Sequence, residues 1–257
     1  MILRTDAIVL RTHRMTGTSK VAVLYTRALG KVKAAAKGAR RPKSRFGASL
    51  EPFTEGAYVI YCKEGRELQT MSEGDILHPF EDVKADLDRL IHASAIVELT
   101  DHLAVGEEPN PALYGALREA LACLEKLPGD RAEAAFWRFE ARAMEALGYR
   151  PALDRCAACG KPWHRGRAGI NPGAGGLVCS DCGGETEGTV FLREETIRLL
   201  GRLRVSDAES IAGLEIPEKV RAEVRRALRM FVEYHTEDRR PLRSLIFKDQ
   251  MTLEEAP

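Results

Sequence analysis

The sequence predicts an α+β protein of several domains, in which a small β-barrel precedes an α-helical domain that carries an inserted four-cysteine segment. Three observations predict this architecture. Short apolar runs parted by Gly or Pro fill the chain up to Leu77, apolar residues at helical spacing follow Pro79, and two Cys-x2-Cys pairs interrupt the helical pattern. A chain of 257 residues also exceeds what one small core usually requires. We expect domains at residues 1–79, at 80–150 together with 189–250, and at 151–188.

Five short apolar runs predict the strands of the barrel. They cover residues 7–10, 21–25, 31–36, 57–61 and 68–71. In the third run Lys31 and Lys33 share one parity while the apolar residues share the other, so this strand should present a lysine face and bury the opposite one. Aromatic residues inside strand runs are usually packed, so Tyr25, Tyr58 and Tyr61 are expected in the core.

Helical spacing dominates the rest of the chain. Apolar residues from Val83 to Leu103 predict one long amphipathic helix, and Asn110-Pro111 is typical of a helix start. Asp130 with Glu133 resembles the capping box of a helix that ends at Gly148. Further helices are predicted at residues 193–204 and 217–234, whereas residues 151–188 are glycine-rich and lack periodicity.

Two cysteine pairs, Cys156-Ala-Ala-Cys159 and Cys179-Ser-Asp-Cys182, are separated by 19 residues, a spacing typical of paired zinc knuckles. Two residues between thiolates let a tight turn aim both sulfurs at one ion, and Gly160 suits such a turn. Four thiolates fill a tetrahedral shell, so we expect one structural zinc ion per chain and a zinc finger at residues 151–188. The alternatives are two reduced pairs without metal, or a redox dithiol.

Positive charge is concentrated at the beginning of the chain. Residues 1–50 contain twelve Lys or Arg and a single acid, Asp6, although the whole chain has a net charge of only +1. The run from Lys37 to Gly47 contains five cations, two glycines, one proline and one aromatic residue, Phe46, which is typical of a loop that follows a phosphate backbone. A solvated charge run would normally contain acids as well, so a polyanion is the favoured partner.

These stretches resemble a known family. Residues 6–12, 25–27, 36–46 and 50–53 are similar to the N-terminal OB-fold domain of the RecO family of DNA repair and recombination proteins, and Pro241-Leu242-Arg243-Ser244 is similar to its C-terminal signature. The resemblance implies binding of single- and double-stranded DNA, strand annealing, cooperation with RecR, and contact with the C-terminal tail of single-stranded-DNA-binding protein. An apolar pocket beside the arginines of residues 221–229 would suit that acidic tail, although these arginines equally suit a solvated helix face.

The resemblance also nominates DNA-binding residues. They are Arg11, Arg14, Lys20, Lys31, Lys33, Lys37, Arg40, Arg41, Lys43 and Arg45, with Phe46 as the side chain that stacks on a base. The nominated metal ligands are Cys156, Cys159, Cys179 and Cys182.

Two other classes of function compete with this interpretation. A zinc deaminase would need a His-x-Glu upstream of its cysteines, but the only such triplet lies downstream of both pairs, so we expect no catalytic residues. An RNA-binding factor of translation or transcription remains open, because OB barrels and zinc ribbons also bind RNA. No apolar run approaches the roughly 18 residues of a membrane span. We therefore expect a cytoplasmic protein associated with the nucleoid.

Overall fold

A computed structural model of the chain describes residues 1–183, 187–207, 210, 213–236 and 240–254, with residues 252–254 described by backbone only. The contacts between residues define two compact units. One consists of Met1–Glu125 with Leu242–Pro257, and the other consists of Lys126–Pro241. The three domains given above stay a prediction.

The first unit contains a closed five-stranded barrel, as predicted. Its strands are β1 (Ile2–Arg14), β2 (Lys20–Thr26), β3 (Gly30–Ala36), β4 (Glu55–Tyr61) and β5 (Leu68–His78). Their order around the barrel is β1, β2, β3, β5, β4, and β4 pairs back with β1. Only β3 and β5 run parallel. The first half of β1 pairs with β4 and the second half with β2, and an irregularity at Leu10 lets the strand bend between them.

Side-chain alternation fills the barrel. Val32, Ala34 and Ala36 of β3 lie in its core, whereas Lys31 is half-buried and Lys33 exposed on the outer face. The predicted lysine face of this strand is therefore confirmed.

The three strand tyrosines have different positions. Tyr58 is completely buried in the barrel core, where its hydroxyl donates to Ser49 O. Tyr25 is buried but has the opposite parity to the core residue Leu24, so it lies on the outer face. Tyr61 is 47% exposed, and its expected place in the core is wrong.

Three helices follow the barrel, namely α1 (Glu81–Lys84), α2 (Leu87–Leu103) and α3 (Pro111–Lys126). The single long helix predicted from Val83 is broken because Asp86 is extended and caps α2, accepting a hydrogen bond from Arg89 N at 2.9 Å. Asn110 caps α3 as predicted, since its Oδ1 accepts from Leu113 N at 2.9 Å.

A buried carboxylate joins α3 to the barrel. Glu55 on β4 is 5% exposed and accepts hydrogen bonds from Arg118 Nε, at 2.9 Å to each oxygen, and from the Tyr114 hydroxyl at 3.0 Å. Burial and the neighbouring Glu55 charge both raise the pKa of Tyr114 above its ordinary value. Two donors that make three hydrogen bonds therefore satisfy this buried charge, which would otherwise be strongly destabilising.

The last helix, α8 (Arg243–Glu254), belongs to the first unit and lies against α2. Glu98 of α2 accepts hydrogen bonds from the backbone N–H groups of Arg243 and Ser244 and from the Ser244 hydroxyl, at 3.0–3.4 Å. A carboxylate at this position satisfies amides of the first turn and complements the helix dipole. The C-terminal Arg243-Ser244 signature thus has a structural role.

The second unit combines helices with a small sheet. Its helices are α4 (Ala132–Ala146), α5 (Ser180–Gly183), α6 (Glu194–Val205) and α7 (Glu218–Thr236), and its strands are β6 (Ala168–Asn171), β7 (Gly176–Val178) and β8 (Val190–Leu192). The predictions for α6 and α7 are confirmed to within two residues. The prediction that Asp130 and Glu133 form a capping box for α4 is wrong. A 3-10 turn precedes the helix, no side chain caps it, and Glu133 binds Arg221 and Arg225 of α7 instead.

None of the helices in the described ranges has the length and apolar character needed to cross a bilayer.

Candidate nucleic-acid surface and metal centre

Basic side chains gather where β1 ends, β2 begins and β3 ends. Arg14 is the register partner of Lys20, and Lys20 is the partner of Ala36, so the three strand ends are neighbours. Lys37 and the loop that runs to Phe46 continue directly from β3. Six of the nominated cations in this region are exposed, namely Arg14, Lys37, Arg40, Arg41, Lys43 and Arg45. Lys20 is half-buried.

The loop between Lys37 and Phe46, which we call the basic loop, is fixed to the turn between β1 and β2. Arg40 N donates to Thr18 O at 2.9 Å, and Arg40 Nη1 donates to Gly17 O at 3.1 Å. Inside the loop Arg41 N donates to Gly38 O, and Ser44 N donates to Arg41 O. These backbone bonds order a loop whose cationic side chains remain in solvent, so little entropy would be lost when it binds an anion.

Two nominated cations are engaged elsewhere. Arg11 Nε lies 3.0 Å from Asp101 Oδ2, and Lys31 Nζ lies 3.4 Å from Asp101 Oδ1 and 2.7 Å from the Asp101 carbonyl oxygen. Burial raises the pKa of Asp101, but the hydrogen bonds and charges of Arg11 and Lys31 outweigh it and hold that pKa below its ordinary value. These two cations secure the end of α2 to the barrel, so the structure does not group them with the exposed cations.

The position of Phe46 differs from the prediction that its side chain stacks on a base. The side chain is 2% exposed and lies in the barrel core with Leu50 and Tyr58, so it cannot stack on a base without leaving that core. A 3-10 turn at Gly47–Leu50 returns the chain to the barrel immediately after the loop. The guanidinium of Arg45 lies 5.7 Å from the Phe46 ring centroid. Phe46 therefore anchors the basic loop from inside the barrel.

The four nominated cysteines meet at one point of the second unit. Their sulfur atoms all lie within 4.8 Å of one another, and Cys159 Sγ is 3.9 Å from Cys179 Sγ. Four sulfurs about 2.3 Å from a zinc ion at the corners of a tetrahedron would be about 3.8 Å apart. The arrangement therefore has the size of a closed tetrathiolate shell, and among the described residues this is the one cluster of His, Cys, Asp and Glu side chains with metal-binding proximity.

Backbone hydrogen bonds shape each cysteine turn. Gly160 N donates to Cys156 O at 2.8 Å, and Gly183 N donates to Cys179 O at 2.7 Å. Gly160 has φ +75°, a conformation that favours glycine. Burial raises the pKa of Cys156, but N–H donors, led by that of Cys179, outweigh it and lower the pKa to about 6. These donors thus favour the thiolate of Cys156, whereas hydrogen bonding, with Cys179 first and then Cys159, raises the pKa of the Cys182 thiol.

The small sheet holds the two turns together. Ala157 N donates to Leu177 O at 2.6 Å, while Ala152 exchanges hydrogen bonds with Gly175 and Leu177. Strand β7 therefore links the first cysteine pair to the second, which follows it directly. Four thiolates around a bound ion would fill a tetrahedral shell and would leave no open position for a water molecule.

Comparison with known proteins covers both units. Residues 1–80 match a family model described as Recombination protein O N terminal, and residues 84–245 match one described as Recombination protein O C terminal. Proteins named DNA repair protein RecO are similar along most of their length. The one from Caldanaerobacter subterraneus subsp. tengcongensis is 31% identical over 235 residues, 91% of this chain and 93% of its own. The protein from Nocardioides sp. is 37% identical over 215 residues, which cover 80% of this chain and 84% of its own. The protein from Symbiobacterium thermophilum is 31% identical over 252 residues, which cover 97% of this chain and 98% of its own.

Proposed function

Because this chain belongs to the RecO family of DNA repair and recombination proteins, we propose that it is a recombination mediator without catalytic chemistry. It binds single- and double-stranded DNA, anneals complementary strands, and acts in the cytoplasm at the nucleoid. The observation that carries this proposal is the basic loop, an ordered segment with exposed cations at one end of an OB-type barrel.

The charges of the loop suit a backbone rather than a base sequence. Arg40, Arg41, Lys43 and Arg45 are exposed, no acid occurs between Asp6 and Glu51, and the nearby aromatic side chain is buried. Contacts of this kind neutralise phosphates, release counterions and carry no sequence information. Neutralised phosphates also lower the repulsion between two strands, which favours annealing.

Annealing measured with matched DNA and RNA strands tests this function. The protein should accelerate pairing of complementary single-stranded DNA, and the acceleration should fall steeply as salt is raised, because salt weakens phosphate contacts. A partner strand of scrambled sequence, which cannot pair, is the control for nonspecific aggregation. Tight binding and annealing of RNA with no effect on DNA would refute the proposal and favour a factor of translation or transcription.

For the cysteine centre we propose one structural zinc ion per chain. A borderline-soft ion with no geometric preference of its own suits four thiolates in a tetrahedral arrangement. The ion would supply folding energy to residues 152–183, whose sheet is short and glycine-rich.

We also propose that the chain cooperates with RecR and receives the acidic, Phe-ending tail of single-stranded-DNA-binding protein. An apolar pocket within the second unit supports the tail site, and the residues that line it include Met144, Leu200, Phe231 and Arg204. Arg204 Nε is buried without a hydrogen-bond partner among the described residues, and Nη2 is 3.5 Å from Glu145 Oε1. The cavity is small, about 20 Å³, so an aromatic ring would contact its apolar rim while Arg204 binds a carboxylate.

The arginines of α7 fit this role less well. Arg221 and Arg225 bind Glu133, and Arg229 binds Glu233 at 2.7 Å. Their charges are therefore compensated within the second unit. Glu145 also pairs with Arg204, but Arg204 is the arginine that lines the pocket, so we choose it as the cation of the tail site.

A synthetic tail peptide titrated against the full chain tests this site. Arg204→Ala should weaken peptide binding at least tenfold, whereas Arg202→Ala, an exposed position on the same helix, should not. Absence of binding to the wild-type chain would exclude the tail site.

A further inference from the structure

The cysteine-bearing segment contains a second basic stretch. Residues 155–180 include four Lys or Arg and no acid. Two of the four are paired with neighbouring aspartates, Arg155 with Asp154 at 3.3 Å and Lys161 with Asp181 at 3.2 Å. The other two, Arg165 and Arg167, are exposed.

The two remaining arginines occupy a turn that other side chains hold in place. Gly166, at φ +86°, donates its N–H to Glu194 Oε2 at 2.6 Å, and its carbonyl accepts from Trp163 Nε1 at 3.3 Å. Arg198 donates to His164 O at 3.0 Å, and its guanidinium lies 5.6 Å from the Trp163 ring centroid. Arg198 also binds Glu194 at 2.7 Å. Residues 163–167 are thus clamped from α6.

The clamp does not use the exposed arginines. Among the described residues neither Arg165 nor Arg167 makes a hydrogen bond or an ion pair, although the charge of Arg165 helps to lower the pKa of Glu194 after the Gly166 and Arg198 hydrogen bonds. Two guanidinium groups that are separated by one residue on an ordered turn can each offer a fork of N–H donors to a phosphate. Because the turn is already ordered, its backbone loses little conformational entropy when the arginines bind a phosphate.

We propose that the turn of residues 163–167 is a second DNA-contact site, in which Arg165 and Arg167 bind phosphates of single-stranded DNA. This inference rests on the proposed function and adds to it a site on the cysteine-bearing segment. A phosphate backbone suits the turn better than a carboxylate-rich peptide. The turn offers two exposed cations, and the Trp163 ring that could anchor a peptide is already covered by Arg198.

Tryptophan fluorescence reports on this turn directly. The chain has two tryptophans, and Trp137 is 1% exposed in α4, so a change on DNA binding should come from Trp163. Homopolymeric single-stranded DNA added to the full-length protein should change the emission, and Trp163→Phe should abolish the change. In Arg165→Ala/Arg167→Ala the emission change should be lost while binding through the barrel, followed by anisotropy of labelled DNA, persists.

The salt dependence of affinity gives the second readout. Losing two phosphate contacts should reduce the slope of log affinity against log salt by about 1.4, which is about 25-fold in affinity at 0.1 M salt. The matched control is Arg202→Ala/Arg226→Ala, which removes the same charge from exposed positions on α6 and α7. Its slope should equal that of the wild type.

The outcomes separate this inference from the proposed function. If the wild type binds DNA but Trp163 emission does not change and Arg165→Ala/Arg167→Ala retains the wild-type slope, the second site is refuted and the proposed function stands. If an acidic peptide changes the emission and DNA does not, the turn belongs to a protein partner and the inference is again refuted. If the wild type binds no DNA by either readout, the proposed function itself fails.

Discussion

Replacing Arg40, Arg41, Lys43 and Arg45 together by alanine should flatten the dependence of log affinity for single-stranded DNA on log salt by up to about 3 units. Each phosphate contact on a single strand contributes roughly 0.7 to this slope, and four contacts are removed. At 0.1 M salt the same change corresponds to a loss of affinity of about 600-fold. Anisotropy titrations of a labelled oligonucleotide at five or more salt concentrations measure it.

A second variant that keeps Arg40 is needed, because this residue also fixes the loop to Gly17 and Thr18. The triple variant Arg41→Ala/Lys43→Ala/Arg45→Ala keeps those bonds and should flatten the slope by up to about 2 units. Its matched control is Arg4→Ala/Arg27→Ala/Lys63→Ala, three exposed cations outside the basic loop, which should leave the slope almost unchanged. Equal effects of the two triple variants would mean that total charge, and not the loop, governs binding.

Phe46→Ala separates the anchor of the loop from its charges. Truncating a Phe in a packed core costs about 3–5 kcal/mol of stability. We therefore expect a large fall in the denaturation midpoint, which the alanine variants of the exposed cations should not show. Protein that remains folded should retain the cationic contacts of the loop.

Cys179→Ser should remove the bound metal and unfold the cysteine-bearing segment while the barrel stays folded. Structural zinc in small domains contributes about 10–16 kcal/mol of apparent binding free energy at neutral pH, so the segment should not keep its structure without the ion. Metal analysis should fall from one zinc per chain to near zero, and backbone amides of residues 156–183 should lose protection from hydrogen exchange. Amides of β1–β5 should keep theirs, because the barrel core contains none of these residues.

Cys62→Ser is the matched control for this variant. Cys62 is half-buried at the edge of the barrel core and belongs to no metal-binding cluster among the described residues. Its zinc content should equal that of the wild type. A wild-type protein purified without metal, or one with a Cys156–Cys159 disulfide, would refute the zinc site.

Local sequence patterns predicted the features that depend on local geometry. Alternation of lysine and alanine specified the two faces of β3, because successive side chains of a strand point in opposite directions. The two Cys-x2-Cys pairs specified a cluster because each turn aims its own sulfurs. Asn110 before Pro111 specified the start of α3, because a cap acts within three residues.

Features that depend on distant partners were missed. Asp101 lies 90 residues from Arg11 and 70 from Lys31, and nothing near these cations in the sequence marks them as paired. Glu133 binds Arg221 and Arg225, which lie 88 and 92 residues away, and so does not cap α4. Phe46 ends a polar run, and its burial depends on a turn that brings the chain back to the barrel.

The salt dependence of single-stranded DNA binding by the wild-type protein tests the central claim most directly. If the basic loop binds a phosphate backbone, log affinity should fall linearly with log salt, and Arg40, Arg41, Lys43 and Arg45 should contribute up to about −3 to the slope. Oligonucleotides of equal length and different sequence should give nearly the same slope and affinity. A slope near zero, or an affinity that depends strongly on sequence and hardly on salt, would contradict the claim that this chain binds DNA through phosphate contacts of its basic loop.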